Sequence, residues 1–189
     1  MRIIGGERRG HRLAEWHGAR IRPLRDRVRT ALFDILGSQV QGAAFLDLFA
    51  GTGAVGLEAL SRGARWAAFV DASARATRII YKNARRLDYC HRCEVLQADA
   101  VEAVHRLAQR RSQFDLAFVG APYGTGLAQR AAAALGEGGP LRVGATAVVE
   151  VFHKEEGAPR RGGLVLTSAR DYGETRLLLY RFEGEPLGQ

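Results

Sequence analysis

No stretch of this sequence is apolar enough, for long enough, to cross a bilayer without a charge. The opening residues, MRIIGGERRG, hold no apolar run of the kind that leads a secreted chain. A cytoplasmic location and no membrane partner are therefore expected. Cysteine is nearly missing: only Cys90 and Cys93 occur, both within DYCHRCEV. With His91 they offer three metal ligands in one short turn. A structural zinc site wants four, and the chain has no second cluster, so two reduced thiols in a helix-to-strand loop and no metal are expected. Lysine is as scarce, present only at Lys82 and Lys154. Internal repeats and low-complexity segments are lacking too, which excludes solenoid and fibrous architectures.

What the chain has instead is arginine, concentrated at one end. The formal net charge is +8, and residues 1–29 hold nine arginines against Glu7, Glu15 and Asp26, a local excess of +6. Guanidinium forks match phosphate geometry, so this cluster reads as a footprint for a nucleic-acid backbone, with Arg2, Arg8, Arg9, Arg12 and Arg25 as the contacts. A length of 189 residues, 47% apolar and 25% charged, suits one globular domain and a small appendage. The boundary is placed between a basic strand-and-turn arm over 1–23 and a main domain over 24–189.

From residue 43 onward, short apolar runs alternate with helical patterns. Strands are predicted at 43–49, 66–71, 93–99, 114–120 and 146–152, and two more around a turn near Tyr172 and Gly173. Helices are predicted near 24–36, 54–63, 73–87, 100–111 and 126–136. In the first, Val28, Ala31, Leu32 and Ile35 form the core-facing stripe, with Arg25 and Arg29 on other faces. This alternation implies an α/β fold: a doubly wound, mostly parallel, seven-stranded sheet with an antiparallel C-terminal strand.

The loop DLFAGTGAVG joins the first strand to the first of the alternating helices, and Gly51, Gly53 and Gly56 fit G-x-G-x-x-G. In that context the glycines let the backbone turn sharply and approach a nucleotide. Two ligands compete, a dinucleotide and S-adenosylmethionine. Asp71, at the end of the second strand, serves ribose hydroxyls in either. Asp47 discriminates, because a carboxylate just before the turn would repel a pyrophosphate and suit an ammonium and a sulfonium. Asp99 ends the third strand, within reach of an adenine amine. Each acid could instead be a helix N-cap, a common device after strands.

At this point the chain resembles a family: the class I S-adenosylmethionine-dependent methyltransferases, and within them the RsmD-type bacterial enzymes that methylate the exocyclic N2 of a guanine in small-subunit ribosomal RNA. The segments that carry the likeness are MRIIGGERRGHRL, IRPLRDRVRTALFDIL, FLDLFAGTGAVGLEALSRGA, FVD, Asn83, ADA and DYGETRLLLY, which span nearly the whole chain. The resemblance implies a Rossmann-like methyltransferase fold and S-adenosylmethionine as cofactor. Asp47 with the loop residues Phe49, Ala50, Gly51, Thr52 and Gly53 would hold its methionine part, Asp71 and Ala72 its ribose, Asp99 and Ala100 its adenine. The helix from Arg22 to Arg29 would close over it, with Arg22 in contact. The partner would be small-subunit ribosomal RNA or the assembling subunit, approached by a monomer. Leu24-Arg25 and Thr30 depart from the family, which usually has small hydroxyl residues and an acid there.

A larger departure lies in FVGAPYG. Similar enzymes end the fourth strand in Asp-Pro-Pro-Tyr or Asn-Pro-Pro-Tyr, where the acid or amide and nearby carbonyls draw the target amine's lone pair out of conjugation and the aromatic stacks on an exposed base. Here Gly120 and Ala121 precede Pro122 and Tyr123. These four residues remain the expected catalytic motif, without its acid. Asp115 cannot replace it, because five strand residues place it at the opposite end. Loss of one preorganised group can slow turnover by roughly 10²–10³. A slow RNA methyltransferase is the expected function, and a catalytically weakened RNA-binding or ribosome-assembly factor that keeps the cofactor is the alternative.

Overall fold

The computed structural model describes residues 1–15 and 24–184. Five helices, α1 (Asp26–Leu36), α2 (Ala54–Ser61), α3 (Ala74–Arg86), α4 (Ala100–Gln109) and α5 (Leu127–Gly136), pack on one sheet. Its strands are β1 (Ala44–Leu48), β2 (Trp66–Asp71), β3 (Cys93–Gln97), β4 (Phe114–Val119), β5 (Leu141–Phe152), β6 (Arg160–Arg161), β7 (Leu164–Tyr172) and β8 (Thr175–Phe182). Their spatial order is β3-β2-β1-β4-β5-β8-β7-β6. The first five pair in parallel, and β8, β7 and β6 add antiparallel strands at one edge. The sheet therefore has eight strands rather than seven. The extra one is two residues long, too short to carry a hydrophobic pattern.

Two cores follow from the period-2 alternation of the strands. Phe45, Phe118 and Val148 face α1, α2 and α3, while Leu46, Leu48, Val119 and Val149 face α4 and α5. Every residue of α2 is buried, including Glu58. Helix α3 is amphipathic, with Ala76, Ile80 and Ala84 inward, and starts on a Ser73 cap whose hydroxyl accepts from Ala76 N at 3.3 Å. Gly56 of α2 is needed for close packing, since a Cβ there would lie 2.3 Å from the Phe69 ring on β2.

The first 15 residues are not a loose extension. Ile3 N donates to His11 O and Leu13 N to Met1 O, which closes a small antiparallel turn around the Arg2–Arg12 bridge. Ile3 and Leu13 are buried in the core beneath α1, α2 and α3. The Glu58 carboxylate accepts from Ile4 N at 2.8 Å and Gly5 N at 2.7 Å, and Ser61 Oγ donates to Gly5 O. Arg29 corrects the helix-face expectation: it is fully buried, not on an outer face. Its Nη2 donates to Arg2 O at 2.5 Å, and its Nε lies 3.8 Å from Glu58. Glu58 also binds Arg62 at 2.9 Å. The charge is tolerated inside because its carboxylate partner is buried beside it. Burial pushes the Arg29 pKa down, and Glu58 and Asp26 oppose that shift.

Candidate active site

The strand order reverses at β1, which has β2 on one side and β4 on the other. Open α/β sheets bind ligands outside the carboxyl ends of the strands at such a switch point. A cavity of about 440 Å³ lies there, lined by Phe49, Asp71, Asp99, Pro122, Tyr123 and Glu150 among others. A smaller cavity of about 70 Å³ reaches Asp47, Thr52 and Leu24, and shares Phe49, Gly51, Gly120 and Glu150 with the larger one.

The loop between β1 and α2 is bent into the left-handed region at Phe49 (φ 60°), Gly51 (φ 58°) and Gly53 (φ 77°). Phe49 is a bulky residue in a conformation that favours glycine, a local cost of the kind that concentrates at functional sites. Three acids hold the loop's surroundings. Asp47, 1% exposed, accepts from Gly56 N at 2.9 Å. Burial pushes its pKa up to about 7, against the Gly56 hydrogen bond, and the Asp71 charge adds to the rise. Asp71 accepts from Gly51 N through one oxygen and Ser73 N through the other, both at 2.9 Å. Asp99 is the N-cap of α4, accepting from Val101 N at 2.9 Å, while also lining the larger cavity. Asp99 thus serves as a cap at the cavity wall.

The other expected cofactor contacts divide by position. Ala72 and Ala100 line the larger cavity, Ala50 and Thr52 the smaller one. Gly53 lines neither; it is the N-cap of α2, and a Cβ there would lie 3.2 Å from Ile80. Arg22 lies outside the described residues. Buried Asn83 fixes the loop from behind: its Nδ2 donates to Thr52 O at 2.9 Å and to Ala14 O, and its Oδ1 accepts from Ala14 N at 2.7 Å.

Gly120, Ala121, Pro122 and Tyr123 all line the larger cavity. Tyr123 donates its hydroxyl proton to Glu150 Oε1 at 2.6 Å, so Thr175 Oγ1, 2.8 Å away, donates to the tyrosine oxygen. Glu150 was not read from the sequence as a site residue. The signal was a lone carboxylate within the apolar run TAVVEVF. A side chain at Gly120 would be crowded, since a Cβ there would lie 2.8 Å from Phe118 Cε1. Asp115 lies elsewhere, lining a separate cavity with Arg65 and Arg142 and accepting from Ala44 N at 2.8 Å.

Of the arginines expected to meet nucleic acid, Arg2, Arg9, Arg12 and Arg25 are exposed, and Arg8 lies over the Tyr89 ring at 5.8 Å. A second basic surface was missed. Arg75, Arg78, Lys82, Arg85 and Arg86 all lie exposed on α3 together with Tyr81, and the helix itself contains no acidic residue.

A family model described as Conserved hypothetical protein 95 matches residues 1–181. The chain is 35% identical over 159 residues to the Escherichia coli ribosomal RNA small subunit methyltransferase D, covering 84% of this chain and 78% of that protein. It is 32% identical over 184 residues to a Bacillus subtilis protein named as a candidate rRNA methyltransferase, YlbH, covering 97% and 100% of the two chains. The chain belongs to the RsmD family. Its fold superposes on that of a candidate Escherichia coli methyltransferase, yhhF, with a TM-score of 0.83, 30% identity and coverage of 97% and 98%. The family's match takes in the arm, the glycine loop, the three acids, the Gly120–Tyr123 segment and Glu150.

Proposed function

We propose that this protein transfers a methyl group from S-adenosylmethionine to the exocyclic N2 of a guanine in small-subunit ribosomal RNA, acting as a monomer on the RNA or the assembling subunit. The observation that carries this reading is the buried Asp47 carboxylate beneath the glycine loop, opening onto the smaller cavity. Burial raises the Asp47 pKa to about 7, no cation meets its carboxylate among the described residues, and a methionine ammonium beside a sulfonium would supply one. A pyrophosphate there would meet the carboxylate with like charge.

The remaining residues fit the same ligand. The loop amides and Asp47 would hold its amino-acid end, Asp71 its ribose, and the wall of Ala72, Asp99 and Ala100 its adenine. When bound, the cofactor supplies an electrophilic methyl on a positively charged sulfur. Pro122 and Tyr123 would form the rim on which an unpaired guanine rests, with the Tyr123 ring set by Glu150 and Thr175. The arginines of the 1–23 arm and the cations of α3 would bind RNA phosphates, and residues 24–189 would form the transferase domain.

Incubation with labelled S-adenosylmethionine and small subunits from cells lacking the protein should label the RNA at guanine N2. No transfer at stoichiometric enzyme would overturn the proposal. A weakened assembly factor is the second reading, favoured by Gly120, and it predicts binding of S-adenosylhomocysteine and RNA without turnover.

A further inference from the structure

Gly120 stands where the motif this sequence resembles has an acid or amide, and the site holds a carboxylate one strand away. In the β4–β5 pair, Phe118 stands opposite Val148 and Val119 opposite Val149. Continuing that register by one residue sets Glu150 beside Gly120, about one strand spacing of ~4.8 Å away. The two positions also share a face. Val149 and Val151 pack toward α4 and α5, which turns Glu150 the other way, to the side of Val148, Phe118 and Asp47. A Cβ on Gly120 would point the same way, into the Phe118 ring. Glu150 and Gly120 together line both cavities, at the junction between the Asp47 side and the Pro122–Tyr123 rim.

We propose that the Glu150 carboxylate is the acceptor for the target amine, replacing the acid absent from the Gly120 position. This rests on the methyltransferase reading and names the residue that completes it. A glutamate is one methylene longer than the missing aspartate, which suits a start point one strand further off. In the reaction the amine nitrogen's lone pair forms a bond to the methyl carbon. The carbon–sulfur bond breaks with its electron pair passing to sulfur, which becomes a neutral thioether. The nitrogen then sheds one proton to Glu150, which releases it to solvent. Before transfer, the same carboxylate accepts a hydrogen bond from the amine and so frees the lone pair from the ring. The Tyr123 hydroxyl, donating at 2.6 Å, fixes the carboxylate and ties the stacking ring to the acceptor in one unit.

The test uses the full-length protein, labelled S-adenosylmethionine and small subunits from cells lacking it. Glu150→Gln should lower single-turnover methyl transfer by about 10²-fold or more. Binding of S-adenosylhomocysteine should change by less than about threefold. In the Glu150→Gln background, returning an acid with Gly120→Asp, and making room for it with Phe118→Leu, should recover a tenfold or greater part of the loss. A purely structural role would not allow that rescue. Wild-type rates in Glu150→Gln, or loss of cofactor binding equal to the loss of rate, would overturn the assignment. If Glu150→Gln does not fold, the Phe118→Leu/Gly120→Asp protein carrying Glu150→Ala replaces it, and inactivity of that folded variant overturns the proposal. Absence of transfer by the wild type would instead remove the methyltransferase reading itself.

Discussion

Asp47 carries a pH signature. Its pKa of about 7 in the folded protein lies above the ordinary carboxylate value of 3.8, because burial disfavours the charge. The folded state therefore holds a proton that the unfolded chain has released, and this residue's contribution to stability falls as pH rises from about 4 to about 7. Ligand binding has the opposite slope. A cation beside Asp47 requires the ionised form, so affinity for S-adenosylhomocysteine should rise about tenfold between pH 6 and pH 8, with proton release on binding. Titration calorimetry across that range checks it. Asp47→Asn should flatten the profile, and an unchanged slope would show that another group titrates. Gly120 supplies a second residue-level expectation. Gly120→Asp alone presses on the buried Phe118 ring and should destabilise the fold by about 1–3 kcal/mol in urea unfolding.

Among single elements, α2 and the amino-terminal turn behave as one unit. Glu58 accepts from two amides of the turn and stands beside Arg29 and Arg62. Glu58→Ala would leave the Arg29 cation buried beside lost amide partners, and should cost about 3–5 kcal/mol. Hydrogen exchange at Ile4 and Gly5 should accelerate with it. Elements that bury a periodic face were legible in the sequence: α3 showed its inward Ile80 and Ala84, and the β7–β8 hairpin showed its Gly173 turn, which adopts φ 64°. Arg29 was not legible. A helical wheel assigns an arginine outward, and long-range contacts with Arg2 O and Glu58 turn it inward. Glu150 was hidden for a related reason, since its meaning depends on β4 and β5 being neighbours in register, which no local pattern states. The outward face of α3 carries a further expectation. Arg78→Glu with Lys82→Glu should weaken RNA binding uniformly and reduce the slope of log affinity against log salt by about 2, without altering S-adenosylhomocysteine binding.

For the molecule as a whole, the switch point at β1, the raised pKa of Asp47, and the basic surfaces of the arm and α3 are the features on which the proposed cofactor and RNA binding rest. The two-residue β6 closes the antiparallel edge of the sheet, while β8, beside β5, reaches the cleft through Thr175 on the Tyr123 hydroxyl. Gly120 brings no acid to the cavity rim, and Glu150 on the neighbouring strand lines the same cavity. The most direct measurement is methyl transfer from labelled S-adenosylmethionine to small ribosomal subunits lacking the modification, with the product mapped to a nucleotide. The account predicts stoichiometric labelling at the N2 of a single guanine; intact cofactor and unlabelled RNA after prolonged incubation with stoichiometric protein would contradict it.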